Sequence, residues 1–296
     1  MREVTRAADW RGAADARLAE IASGFGRASP TLGQAMSDAA LAPGKRFRAL
    51  VLLIAGEATG GVSPALVDAA CAVELVHAAS LVFDDLPCMD NAQARRGRPA
   101  TYRAHGECRA ILAGIALVTE SMRVLATARG ADSETRARLV AILAGALGPE
   151  GLSAGQDLDL HAPKDAAGLE REQDLKTGAL FGAGFEMLGV IQRLRPADMH
   201  ILAMLARTLG RAFQSHDDLL DVLAEAAAIG KDTRRDAVGA GPARGVLAVQ
   251  SLPQAQAHYD ALRAELDDLL DACGFDSAPL AQHISQVLPI RASRAA

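Results

Sequence analysis

Phe83-Asp84-Asp85-Leu86-Pro87-Cys88-Met89-Asp90, with Arg95-Arg96-Gly97 close behind, ends a long apolar run and decides how the chain is read. On an ideal helix Asp84 and Asp90 point roughly 120° apart and cannot face one ion. Pro87 removes that conflict. Its ring lacks an N–H and clashes with the carbonyl of Phe83, so the helix ends or rewinds there and Asp90 swings back toward Asp84. An acidic run is most often a solvated helix face. This one interrupts a strongly apolar helix, where unpaired carboxylates are costly to bury.

A second acidic stretch lies far downstream, Phe213-Gln214-Ser215-His216-Asp217-Asp218-Leu219-Leu220-Asp221. Asp217 and Asp221 are four apart and share a helix face without distortion. Two sets of hard oxygen donors, with no paired Cys or His, suit magnesium that keeps some waters and bridges a phosphate. A diphosphate is the expected guest.

The chain has 296 residues, 50% hydrophobic, 3% aromatic and 23% charged. Ala and Leu dominate, which favours helices over sheets. No linker-like shift in composition appears, so residues 1–296 read as one all-α domain. A net charge of −5 argues against a nucleic-acid partner. Basic residues nevertheless gather in a few loops, where a small anion would meet them. Four cysteines, at 71, 88, 108 and 273, show no metal spacing and read as reduced cytoplasmic thiols. Met1 to Trp10 lacks the apolar core of a signal peptide, and the apolar runs near 49–56 and 110–118 are too short to span a bilayer.

In chain order, residues 10–26 and 31–41 read as amphipathic helices. Gly44-Lys45-Arg46-Phe47-Arg48 then opens an apolar run, with Lys45 and Arg48 expected on the first helical turn, facing an anion. Ser63-Pro64 starts the helix that runs to Pro87, with Ser63 as N-cap. Along it Glu74, His77, Leu81 and Asp84 form one stripe. A His on such a helix is more often a core residue than a ligand; His77 is assigned to substrate because it shares that stripe. Residues 90–103 read as a loop, in which Arg95 and Arg96 project differently and reach two different diphosphates. A buried helix is expected from His105 to about Ala128, and another with Ser133 as N-cap. Gln156 and Asp159 are placed behind the site. Lys176, alone in the apolar segment Asp174–Phe181, implies an anionic partner. Pro196 opens the second acidic helix, ending near Gly230, and the glycine-rich stretch after Lys231 reads as a mobile lid.

The set GKRFR, ELVHAASLVFDDLPCMD, RRGRPATY, GQDLDL, KTGALF and FQSHDDLLD resembles the trans-isoprenyl diphosphate synthases, most of all the bacterial geranylgeranyl diphosphate synthases of carotenoid pathways. The resemblance runs from Gly44 to Lys231. It implies an all-α bundle of helices around a deep cavity, usually a homodimer, with the two acidic motifs facing each other across the cavity mouth. By similarity, Asp84, Asp85, Asp90, Asp217, Asp218 and Asp221 hold three Mg2+ ions against an allylic diphosphate. Arg95, Lys176 and Lys231 contact that diphosphate; Lys45, Arg48, His77 and Arg96 bind isopentenyl diphosphate; Thr177 and Gln214 border the reacting carbons. The implied reaction is head-to-tail condensation.

Product length is expected to depend on the depth of the apolar cavity below the first motif. Ala79 lies about 7.5 Å down the helix axis from Asp84, with Ser80 next to it. In the resembling family small residues here favour geranylgeranyl diphosphate, although they also permit close helix packing. Phe181, Phe185, Met187 or Met122 are candidates for the floor. The chain departs from the family pattern at Phe83, at Asn91, at Ile115, where a polar contact should be missing, and in the loop after Lys231, which has Ala240-Gly241-Pro242 in place of a further Lys. The alternatives are a farnesyl or longer-chain synthase, a terpene cyclase, for which Lys45, Arg48 and Arg96 would have no use, and a catalytically silent partner subunit.

Overall fold

The computed structural model describes residues 2–161, 165–231 and 250–289, and side chains at 9–161, 165, 167–220 and 250–289. These fall into two compact units, Met1–Ala144 with Ala183–Arg195, and Gly145–Gly182 with Pro196–Ala296. Almost all of both is helical.

The first unit begins with α1 (Arg2–Ala22), α2 (Pro30–Ala40), α3 (Phe47–Thr59) and α4 (Pro64–Asp84). A two-stranded hairpin follows, β1 (Ala94–Arg95) and β2 (Arg98–Pro99), then α5 (Thr101–His105), α6 (Glu107–Ala126) and the start of α7 (Ser133–Leu147). Ser63 caps α4 as expected, its hydroxyl accepting the Leu66 N–H at 3.3 Å, with Pro64 in the first turn. Past that cap α4 is mostly apolar and buried over most of its length. It is long and apolar enough to cross a membrane, longer than the apolar runs picked from the sequence, but 72% of that window is buried inside the protein. Its main neighbour is α6, with α1, α2 and α3 also against it. Leu18, Ile21, Met36, Leu75, Ala79, Leu117 and Val124 meet in one core cluster.

The second unit holds α8 (Leu152–His161), α9 (Ala166–Gln173), a π-helical turn (Asp174–Gly178), α11 (Pro196–Lys231), α12 (Leu252–Asp271) and α13 (Ala278–Val287); α10 (Ala179–Gln192) starts here and ends in the first unit. Leu169, Leu219, Ala255 and Tyr259 form a core cluster, and the Tyr259 hydroxyl donates to the Pro289 carbonyl at 2.8 Å.

Several expected boundaries shift. Lys45 lies before α3 rather than on its first turn, because Arg46 takes a left-handed φ of 51° just before Phe47. The cap of α7 is Asp132, whose carboxylate accepts the Thr135 N–H at 2.7 Å, and Ser133 is already helical. The helix expected from His105 breaks at Gly106, whose φ of 87° suits glycine. The loop expected over 90–103 contains the hairpin instead, turning on Arg96 and Gly97 at φ 52° and 74°. Two successive positive φ values match the two-residue turn that follows strand twist.

A buried carboxylate ties the first unit together. Asp68, fully buried on α4, accepts from Arg17 Nε at 2.7 Å and from the Arg129 backbone N–H at 2.8 Å. Removing one partner of such a pair leaves buried charge unpaired, so Asp68→Ala should lower unfolding stability by about 3 kcal/mol. A urea midpoint within error of the parent would contradict this.

Candidate functional site

In the first unit the acidic stretch rewinds as Pro87 demands. Asp85 ends α4, Leu86 N–H bonds the Phe83 carbonyl, and the chain doubles back until the Asp90 N–H reaches the Asp84 carbonyl at 2.9 Å. That bond joins two residues an unbroken helix would hold apart. Asn91 follows at φ 52°, a conformation Asn tolerates better than most residues, and its side-chain oxygen accepts the Tyr102 hydroxyl at 3.0 Å. The Asn91 departure thus has a structural role: it pins the acidic turn to α5.

Arg95 and Arg96 do diverge. On β1, Arg95 Nε donates to Asp85 Oδ1 at 2.7 Å, so an expected diphosphate ligand is joined to an expected metal ligand. Asp85 is buried, Asp84 partly exposed and Asp90 exposed. In the turn, Arg96 Nη1 donates to the Pro43 carbonyl at 3.2 Å and its guanidinium packs on Gly44, where a Cβ would come within 2.5 Å. The hairpin therefore carries Arg96 to the Gly44–Arg48 segment, as the assignment of Lys45, Arg48, His77 and Arg96 to one anion requires. Lys45 is exposed and Arg48 partly buried there.

His77 lies at the centre of this positive field. Burial, and then the charges of Arg48, Arg96, Arg95 and Arg46, hold its imidazole well below the usual range, so it is neutral at neutral pH. A cavity of about 300 Å³ opens beside it, whose lining mixes charged side chains, among them Arg46, Glu74, Asp85, Arg95, Arg96 and Arg98, with apolar ones such as Ala78, Leu81 and Val82. Basic and apolar side chains around one cavity suit an anion that carries a hydrocarbon group.

Ala79 is 1% exposed within the core cluster, so its small size serves helix packing, whereas Ser80 is partly exposed and its hydroxyl donates to the His77 carbonyl at 3.0 Å. Phe83 lies over Gly114, where a Cβ would come within 2.5 Å of the ring. Ile115, where a polar contact is expected to be missing, is 52% exposed on α6.

In the second unit the KTG segment is not a regular helix. Asp174–Gly178 forms a π-turn, and backbone packing explains how it is held. A Cβ at Gly155 on α8 would meet the Lys176 nitrogen at 2.3 Å, and one at Gly210 on α11 would meet Gly178 Cα at 2.6 Å. Arg211 clamps the same turn with a two-pronged bond to Asp174, both contacts 2.7 Å. Gly155, Gly210 and Arg211 had no functional reading in the sequence; their spacing around the motifs was the available signal.

The turn presents Lys176 and Thr177. The anionic partner of Lys176 is Asp159, at 2.5 Å, while Gln156 Nε2 is buried with no hydrogen-bond partner among the described residues. Thr177 Oγ1 donates to Gln214 Oε1 at 3.2 Å, and Gln214 Nε2 donates to Asp218 Oδ1 at 3.0 Å. His216 instead stacks on Tyr259, centroids 5.4 Å apart. Asp217 and Asp218 are partly exposed on α11. The side chains of Asp221 and Lys231 and the expected lid after Lys231 lie outside the described residues.

Among the described residues no three Asp, Glu, His or Cys side chains gather closely enough to enclose a metal. Partly exposed carboxylates with open water on one side still fit magnesium, which takes one or two of them, keeps waters and accepts phosphate oxygens.

The polyprenyl synthetase family model matches residues 29–263, taking in both units. The chain is 40% identical over 238 residues to a geranylgeranyl diphosphate synthase of Pantoea ananas, covering 77% of this chain and 78% of that one. It is 42% identical over 212 residues to the enzyme of the same name from Pseudescherichia vulneris, covering 69% and 67%. Among solved structures, an FPP/GFPP synthase from Zymomonas mobilis superposes with a TM-score of 0.83 at 28% identity, covering 97% of this chain and 99% of that one. The chain belongs to the polyprenyl synthetase family.

Proposed function

We propose that this protein is a magnesium-dependent trans-prenyltransferase that condenses isopentenyl diphosphate with allylic diphosphates to make geranylgeranyl diphosphate. The observation that carries the reading is the Asp90 N–H to Asp84 carbonyl bond. It folds the first acidic motif back on itself in a chain that shares about two fifths of its aligned residues with synthases of that name.

Asp84, Asp85, Asp90, Asp217, Asp218 and Asp221 would hold the ions, three when an allylic diphosphate is present. Bound magnesium supplies the positive charge that stabilises the departing diphosphate. Arg95, Lys176 and Lys231 share that load. Arg95 and Lys176 are held in the free protein by Asp85 and Asp159, so they are in place before the substrate competes for them. As the allylic C–O bond breaks, a carbocation forms, and the hydroxyl of Thr177 and carboxamide of Gln214 lie beside it as an oriented pair. Lys45, Arg48, His77 and Arg96 hold isopentenyl diphosphate so that its double bond attacks the cation. The new C–C bond leaves a cation that loses a proton to the released diphosphate.

The relatives' names support the twenty-carbon product. A different length is the second reading, favoured by the Zymomonas mobilis structure, which is named for FPP and GFPP. A homodimer is part of the proposal, supported by Ile111, Leu112 and Ile115, which are 42%, 55% and 52% exposed on one face of α6 and gain from cover by a second copy. The buried α4 and the free cysteines agree with a soluble, cytoplasmic enzyme.

Purified protein incubated with magnesium, labelled isopentenyl diphosphate and farnesyl diphosphate should yield a twenty-carbon diphosphate, and chelation should stop it. Ser80→Phe should shift products from geranyl diphosphate toward fifteen carbons. No elongation with any starter would overturn the reaction, and a fifteen-carbon parent product would overturn the length. A further prediction follows from His77. Its folded pKa is depressed, so its neutral form contributes stability that is complete above the ordinary 6.5 and is lost as pH falls below it. His77→Gln should therefore lose less stability than the parent between about pH 7.5 and 5.5, measured as thermal midpoints; equal losses would contradict the buried neutral imidazole.

A further inference from the structure

We propose that Glu74 is a positioning residue for isopentenyl diphosphate: its buried carboxylate fixes the start of α3 and the guanidinium of Arg46, and so aims Lys45 and Arg48 at the substrate. The assignment rests on the prenyltransferase reading. Glu74 is 5% exposed, one turn before His77 on α4, and lines the same cavity. Its Oε1 accepts the Ala49 N–H at 3.2 Å. That amide is one of the first in α3, a group with no partner inside its own helix. Arg46, in the capping position, offers α3 no side-chain cap, so a carboxylate from a neighbouring helix does the capping.

The other oxygen faces Arg46. Arg46 Nη1 lies 3.8 Å from Glu74 Oε2, and Arg46 Nε donates to Asp15 Oδ1 on α1 at 2.9 Å. Held from both sides, Arg46 keeps the left-handed φ of 51° that an arginine adopts only when its surroundings enforce it. Arg11 braces the segment again by donating to the Gly44 carbonyl at 2.8 Å. Arg46, the middle basic residue of Lys45-Arg46-Phe47-Arg48, is therefore held between two carboxylates at the cavity wall, and the backbone it fixes carries the assigned anion ligands Lys45 and Arg48 on either side.

The sign of the electrostatics makes this testable. A carboxylate beside a diphosphate site weakens anion binding through its charge alone, so neutralising it should tighten binding unless its geometry matters more. In steady-state assays with farnesyl diphosphate as the allylic substrate, Glu74→Gln should raise the KM for isopentenyl diphosphate at least about tenfold. The KM for farnesyl diphosphate should change less than about twofold and kcat less than about threefold. Asp15→Asn loosens Arg46 from the exposed α1 side without touching the buried α4 core, and should shift the same KM in the same direction by less. An unchanged or lowered KM for isopentenyl diphosphate in both variants, or equal rises for both substrates, would refute the assignment alone. A parent protein that consumes no isopentenyl diphosphate would fail at the reaction itself and take this assignment with it.

Discussion

The structure depends on one conflict between helical geometry and charge. Carboxylates six residues apart on a regular helix diverge, and a long, mostly apolar helix cannot pair them. Pro87 breaks the helix where the conflict arises, and the resulting fold-back gives Asp84 and Asp90 a direct backbone bond. Asn91 and Tyr102 then hold the turn against α5, and the hairpin that follows delivers one arginine to Asp85 and the next to the Gly44–Arg48 segment.

A second theme is how the protein keeps so many charges in an alanine- and leucine-rich chain without substrate. The answer is pairing: Arg95 with Asp85, Lys176 with Asp159, Arg46 with Asp15 and Glu74, Arg211 with Asp174. Each pair fixes the direction of a cation that would otherwise carry the rotamer freedom of a long side chain. Burial lifts the Glu74 carboxyl above its usual range while Arg46 and the Ala49 amide pull the other way, which is what a carboxylate kept for geometry should feel.

Much of this was legible in the sequence where one residue imposes a local rule. Ser63-Pro64 announced the start of α4, Pro87 its end, and the divergence of Arg95 and Arg96 followed from their adjacency. The rest depended on contacts between segments. Nothing local distinguishes Asp132 from Ser133 as a cap, and a hairpin turning on Arg-Gly lacks the usual Asn-Gly signal. The π-turn at Lys176 is imposed by α8 and α11 through Gly155 and Gly210. Arg46, between the assigned Lys45 and Arg48, had no role in that reading, because nothing local shows that it meets Asp15 and Glu74 from two other helices.

The most direct test is anomalous diffraction from crystals grown with manganese and an inert allylic thiodiphosphate. Manganese peaks at bonding distance from the carboxylates of Asp84 and Asp90, with the Asp90 N–H still on the Asp84 carbonyl, are the expected result. Ordered analogue with no metal at either carboxylate, or an acidic turn that unwinds to let them diverge, would contradict it.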